Sequence, residues 1–139
     1  MTEPSATTAS NPFASTRFRI AIEGIPETGA TEVILPEGRI VRTVRKPTAT
    51  QYGNLIIRRG QTLSLDWYDW WNTARRAKRR PTRTIRISVD GADGVDGLSW
   101  TFTGATPVAY RSSPLNALGN EVLIETLELT VSHFEINRT

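Results

Sequence analysis

The stretch Val122-Leu-Ile-Glu-Thr-Leu-Glu-Leu-Thr-Val-Ser-His-Phe-Glu-Ile136 decides the fold. Its apolar residues keep a period of two, the spacing of a β-strand, but the phase changes along the run. Val122 and Ile124 occupy one parity, Leu127, Leu129 and Val131 the other, and Phe134 and Ile136 the first again. One step of phase moves a side chain to the opposite face, so the pattern predicts bulges or a strand passing from one packed sheet to another. Both faces are apolar, and both need cover. Glu121 and Glu125 read as sharing a face with Glu128 on the other, so they do not form the facing carboxyl pair of glycoside hydrolysis. They read as interface or solvent charges.

The segments upstream also alternate. Phe18, Ile20 and Ile22 make a half-buried strand, Glu32 to Leu35 a short one, and Leu55 to Ile57 another that ends at Arg58-Arg59-Gly60. Ile85, Ile87 and Val89 follow the same rule, as do Trp100 and Phe102, with that strand resuming after Pro107. Arg39 to Lys46 reads as a strand or extended loop with wet charges, and Pro47 to Gln51 as a loop. One helix is expected, capped by Thr62 or Ser64 and stopped by Pro81. Leu63, Trp67, Trp70, Trp71, Ala74 and Ala77 recur at helical spacing and give it one apolar side. Asp66 and Asp69 sit at its positive end and Arg75 to Arg80 at its negative end, as the macrodipole favours. The expected architecture is mainly β: a β-barrel or two-sheet sandwich with one flanking α-helix. Residues 1–16, rich in Ser, Thr, Ala and Pro, read as a flexible N-terminal arm, with a single domain over 17–139.

Composition narrows the function. The chain has 139 residues, 38% of them hydrophobic, and no cysteine, which suits one ordinary core and excludes disulfides and thiolate metal sites. No apolar run approaches the roughly 18 residues of a membrane span, and the first residues do not read as a signal peptide. Folding in a reducing cytoplasm is expected. The net charge of +3 is uneven. Residues 39–86 carry 13 basic side chains against Asp66 and Asp69, a net of +11, while residues 1–38 carry −3 and 87–139 carry −5. Such a dipolar chain suits nucleic acid or a self-complementary neighbour.

Little in the sequence supports catalysis. His133 is the sole histidine, so no His-pair metal site exists and any Ser/His triad would depend on it alone. The Asp90-Gly-Ala-Asp93-Gly-Val-Asp96-Gly stretch lacks the alternating ligands of a calcium loop and reads as a turn. The run Arg75 to Arg86, with tryptophans upstream, is the best case for single-stranded nucleic acid. The expectation is no enzyme, no cofactor and no metal.

Three blocks, in order, resemble a known family. Tyr52-Gly-Asn-Leu-Ile-Ile-Arg-Arg-Gly60 followed by Leu65-Asp-Trp-Tyr-Asp-Trp70 is the first; Ser99-Trp-Thr-Phe-Thr-Gly-Ala-Thr-Pro-Val-Ala-Tyr110 is the second. The third is Leu115-Asn-Ala-Leu-Gly-Asn-Glu-Val-Leu-Ile-Glu-Thr-Leu-Glu-Leu129. Together they resemble the tail tube proteins of contractile phage tails and the inner tubes of extracellular contractile injection systems. The resemblance implies a structural subunit that forms hexameric rings, stacked into a hollow conduit inside a sheath. It implies sheath and baseplate proteins as partners and DNA or an effector protein as cargo. On this reading Arg39, Arg42, Arg45, Lys46, Pro47, Thr48 and Gln51 reach an adjacent ring. Trp67, Trp70 and Trp71 anchor the helix, and Asn116, Gly119 and Asn120 turn the chain into the last strand. The expected Gly-Leu-rich block after the first strand is absent, and Arg75 to Arg83 is unusually basic. A minor paralogue joining tube to baseplate is therefore the alternative within the family, and a single-strand nucleic-acid-binding barrel the alternative outside it.

Overall fold

Two long antiparallel runs form the spine. In the computed structural model, which describes residues 17–42, 44–45, 48–91, 93–94 and 97–139, β8 (Gly97–Ser112) pairs along its length with β9 (Ile124–Thr130) and β10 (His133–Arg138). β9 and β10 are one run of chain, interrupted only at Val131 and Ser132; Thr130 faces Thr106 and His133 faces Thr103. From the first half of β8 extend β7 (Arg83–Asp90), β1 (Phe18–Ile22) and β2 (Thr28–Ala30). From β9 extend β6 (Leu55–Gly60) and β3 (Glu32–Ile34). The result is an 8-stranded antiparallel sheet.

The sheet does not close as a hydrogen-bonded barrel, because its end strands β2 and β3 do not pair with each other. They are consecutive in the chain, however. Thr31 joins them and donates its N–H to the Arg58 carbonyl at 2.9 Å, so one segment spans from β1 to β6. A separate 2-stranded sheet pairs β4 (Gly38–Val41) with β5 (Ala49–Tyr52). Residues 49–51, expected in a loop, are therefore strand. The expected arm, residues 1–16, lies outside the described residues.

The phase changes in the last run have separate causes. The second, between Val131 and Phe134, coincides with the break between β9 and β10. The first involves no register shift in β9. Glu125 takes the inward position beside Leu127 and Leu129, while Ile124 is half-buried and Val122 is 70% exposed. The register irregularity lies opposite, in β8, between Pro107 and Ala109. Proline cannot donate to a ladder and is tolerated in a strand at such a bulge. β8 thus runs straight through Pro107 where an interruption was expected. Gly104, at φ +68°, lies at the centre of β8.

One helix, α1 (Asp66–Arg76), is present among the described residues. It starts later than expected: Leu65 precedes it without a side-chain cap. Thr62 Oγ1 instead accepts from Ser64 N, and Asp66 Oδ1 from Trp67 N. Leu63 is exposed, outside the helix. The helix also ends sooner, because Ala77 is extended (φ −79°, ψ 138°). Lys78, Arg79 and Arg80 follow at once, and packing these three like charges onto one further turn, beside Arg75 and Arg76, would be unfavourable. Trp67 and Trp70 are buried in one cluster with Ile20, Ile22, Leu55, Ile57, Ile85, Ile87, Phe102, Leu127 and Leu129, and Ala74 is buried on the same side of the helix. Burying one tryptophan removes about 150–250 Å² from water, on the order of 4–6 kcal/mol as an upper bound. No helix among the described residues is long and apolar enough to cross a membrane.

Candidate assembly surface

The most concentrated polar chemistry lies inside the molecule. Arg59 follows Leu55 and Ile57 on the inward parity of β6, and Glu125 precedes Leu127 and Leu129 on that of β9; the two are direct cross-strand partners. Arg59 Nε donates to Glu125 Oε2 and its Nη2 to Asp66 Oδ1, each at 2.5 Å. Its guanidinium lies 4.0 Å from the Trp67 ring centroid, and Tyr110 Oη donates to Glu125 Oε1 at 2.7 Å. Glu125 is 0% exposed. The expectation of an interface or solvent charge is wrong for Glu125, and Arg58-Arg59 continues the strand it was expected to end. The signal was in the sequence: both charged residues share the parity of their aliphatic neighbours, and opposite charges can be buried when paired.

These contacts set how the groups titrate. Burial alone would raise the Asp66 carboxyl, but the hydrogen bond and charge of Arg59, with help from Ser64 and the Trp67 N–H, hold it below its usual value. Tyr110 is pushed up to about 12, first by burial and then by the hydrogen bond and charge of Glu125. An unfolded tyrosine ionises near about 10. Stability tied to the neutral phenol is therefore complete below about pH 10 and is lost as pH rises through about 10 to 12. Alkaline unfolding followed by circular dichroism should show that loss in the wild type, and Tyr110→Phe should flatten it.

This network holds the helix to the sheet; nothing in it forms a nucleophile with a base. Among the described residues no group of three His, Asp or Glu side chains is placed to hold a metal. His133 packs edge-on against Tyr52, with its Nδ1 3.1 Å from the Tyr52 hydroxyl. The alternative reading, single-stranded nucleic acid stacking on the helix tryptophans, finds no exposed platform there. Trp67 and Trp70 are buried, and half-buried Trp71 packs beside Tyr68 and Tyr110. Arg83 and Arg75 lie over the Trp70 and Trp71 rings at 5.3 and 5.6 Å.

The residues expected to face an adjacent ring fall at one place, and those expected to turn the chain into the last strand at a second. Arg39 belongs to β4 and Gln51 to β5; both are exposed, as are Arg42, Arg45 and Thr48 around the tip of that hairpin. Lys46 and Pro47 lie outside the described residues. Tyr52 and Gly38 hold the base of the hairpin to the ring of Phe134. Beyond it Ile40 is 72% exposed and Val44 fully so. The second place is the 113–123 loop between β8 and β9. Asn116 Oδ1 accepts from Leu118 N, and Gly119 N donates to the Asn116 carbonyl; Asn120 follows, exposed. Around that turn Leu115, Leu118 and Val122 are 86%, 98% and 70% exposed.

A family model described as T4-like virus tail tube protein gp19 matches residues 14–135. No curated protein matches the chain by sequence. Among solved structures, the chain resembles a component of the sheath-tube complex of an extracellular contractile injection system, PVC, in its extended state. That match has a TM-score of 0.69 at 17% identity and covers 100% of both chains. A component of the six-fold symmetrised baseplate of the anti-feeding prophage matches with a TM-score of 0.59 at 21% identity, covering 99% of this chain and 97% of that one. Hcp1 from Flavobacterium johnsoniae matches with a TM-score of 0.66 at 13% identity, covering 88% and 98%. At such identities these likenesses show the fold, and the family is shown by the sequence match that spans most of the chain. The chain belongs to the family of the T4-like virus tail tube protein gp19.

Proposed function

We propose that copies of this chain close into six-membered rings, and that these rings stack into a hollow conduit inside a sheath, with DNA or an effector protein as cargo. The observation that carries this reading is the placement of exposed apolar surface at two sites, the β4–β5 hairpin and the 113–123 loop. A lone monomer would leave both wet, and exposed patches of this kind mark association sites. Arg39, Arg42, Arg45, Lys46, Pro47, Thr48 and Gln51 reach an adjacent ring. Trp67, Trp70 and Trp71 hold the helix in place, and Asn116, Gly119 and Asn120 shape the loop. The N-terminal arm precedes a single folded domain, and assembly takes place in the cytoplasm on a baseplate. The role is structural, with no catalytic step. A joining ring between tube and baseplate is not favoured, because the matching family is that of the tail tube protein itself.

Negative-stain microscopy of the purified full chain tests the reading. Rings or tubes of uniform diameter with six-fold class averages are expected. Another rotational symmetry, or compact monomers alone at high concentration, would overturn it.

A further inference from the structure

The two apolar sites differ in chemistry and sit far apart. The hairpin rejoins the sheet through Gly53 and Asn54 at Leu55, and the 113–123 loop meets the other end of the same strand. There Gln61 N donates to the Leu123 carbonyl at 2.8 Å, and Gly60 approaches the Val122 side chain. Five residues of β6 separate these ends, about 17 Å at roughly 3.3 Å per residue. The hairpin base is further away still, because it packs on Phe134, opposite Phe102. Phe102 is ten residues along β8 from Ser112, on the order of 30 Å along the strand.

The sites are complementary. The hairpin presents Ile40 and Val44 beside Arg42 and Arg45, and neither arginine has an ion-pair partner among the described residues. Arg39 is engaged by Glu37 at 3.3 Å. The loop end presents Leu115, Leu118 and Val122 beside exposed Glu121, with exposed Leu63 on the chain that leaves β6. Aliphatic groups flanked by cations at one end thus match aliphatic groups flanked by a carboxylate at the other. Distinct, complementary patches that lie far apart generate head-to-tail contacts, which continue as an open stack unless a rotation closes them into a ring.

We infer that the tip of the β4–β5 hairpin of one copy docks on the 113–123 loop of a second copy in the next ring, with Val44 against Leu118 and Arg42 and Arg45 facing Glu121. This contact rests on the tube reading and names the surface that receives the hairpin. The occupant is a second copy because this chain supplies both halves of the match.

The absence of cysteine makes the test clean. Full-length Val44→Cys/Leu118→Cys is assembled and then oxidised, and the product is read on a non-reducing gel. A ladder of bridged chains that continues past six is expected. Each single-cysteine variant should stop at dimers, since it can bridge only once. A ladder ending at six would place the contact within a ring, and a fast-migrating monomer would show an intramolecular bridge; either overturns the proposal. So does the absence of bridging in particles that microscopy shows as stacked rings, an outcome that leaves the tube reading standing. Glu121→Lys and Arg42→Glu/Arg45→Glu should each slow bridging by about tenfold, because charges at a contact rim act mainly on association. Combining them should restore most of the rate. Bridging rates unaffected by either change would remove Glu121 from the contact.

Discussion

Arg59→Met is expected to lower stability by about 3–5 kcal/mol, the cost of leaving a buried charge without its partner. Glu125 is fully buried and takes one hydrogen bond from Arg59 and one from Tyr110. Without Arg59 the carboxylate keeps only the neutral phenol, while Asp66 loses its ion pair and Trp67 the cation over its ring. For a chain of this length the loss corresponds to a fall in Tm of roughly 10–20 °C. It should persist in high salt, because buried pairs are poorly screened. Arg59→Met/Glu125→Leu should recover at least half of the loss, since removing both charges ends the desolvation penalty; the Tyr110 hydroxyl already lies 3.5 Å from Gln61 Oε1 as an alternative acceptor. Urea unfolding of the wild type and these two variants supplies the comparison, and a cost under about 1 kcal/mol for Arg59→Met would refute the account. Acid adds a check of sign. The Asp66 carboxyl is held below its unfolded value, so its contribution is present above about pH 4 and is lost as pH falls through the folded value. Arg59→Met should lose that part of the acid dependence.

Gly104→Ala is expected to cost about 2–4 kcal/mol, from two sources that a second variant separates. At φ +68° the backbone is in the left-handed region, which costs a residue with a Cβ roughly 1–2 kcal/mol. The added Cβ would also stand 2.9 Å from Ser132 Cβ and closer still to its Oγ. The hydroxyl can rotate away, but the Cβ cannot. Ser132 sits in the break between β9 and β10 and donates its N–H to the Thr103 carbonyl at 2.9 Å, so it moves only with that break. Gly104→Ala/Ser132→Gly relieves the contact and should retain only the backbone cost, about 1–2 kcal/mol. Equal losses in both variants would show that the contact with Ser132 is unimportant.

Some features were legible because they depend on local chemistry. Alternation in Phe18–Ile22, Arg83–Asp90 and the final run marked strands, and the spacing of Trp67, Trp70 and Ala74 marked the helix and its buried side. Helix ends were less legible. A hydroxyl at position 62 or 64 is a sound cap by type, yet Thr62 turns its oxygen to Ser64 N instead. The β4–β5 hairpin was hard to read because Ile40 and Val44 face outward, so alternation there does not report a core.

The sequence by itself determined a mainly β chain with one helix, the uneven distribution of charge and, through three ordered blocks in its last two-thirds, the tube family. Those properties reside in the order of residues and in short-range periodicity. Only the tertiary structure decided that Arg59 and Glu125 meet inside, that Pro107 is a bulge within one strand, and that the sheet stops short of a barrel. The hairpin and the 113–123 loop were likewise placed far apart only by the fold. Each of these depends on which strands become neighbours and in what register, and pairing between residues as distant as 59 and 125 leaves no periodic trace along the chain.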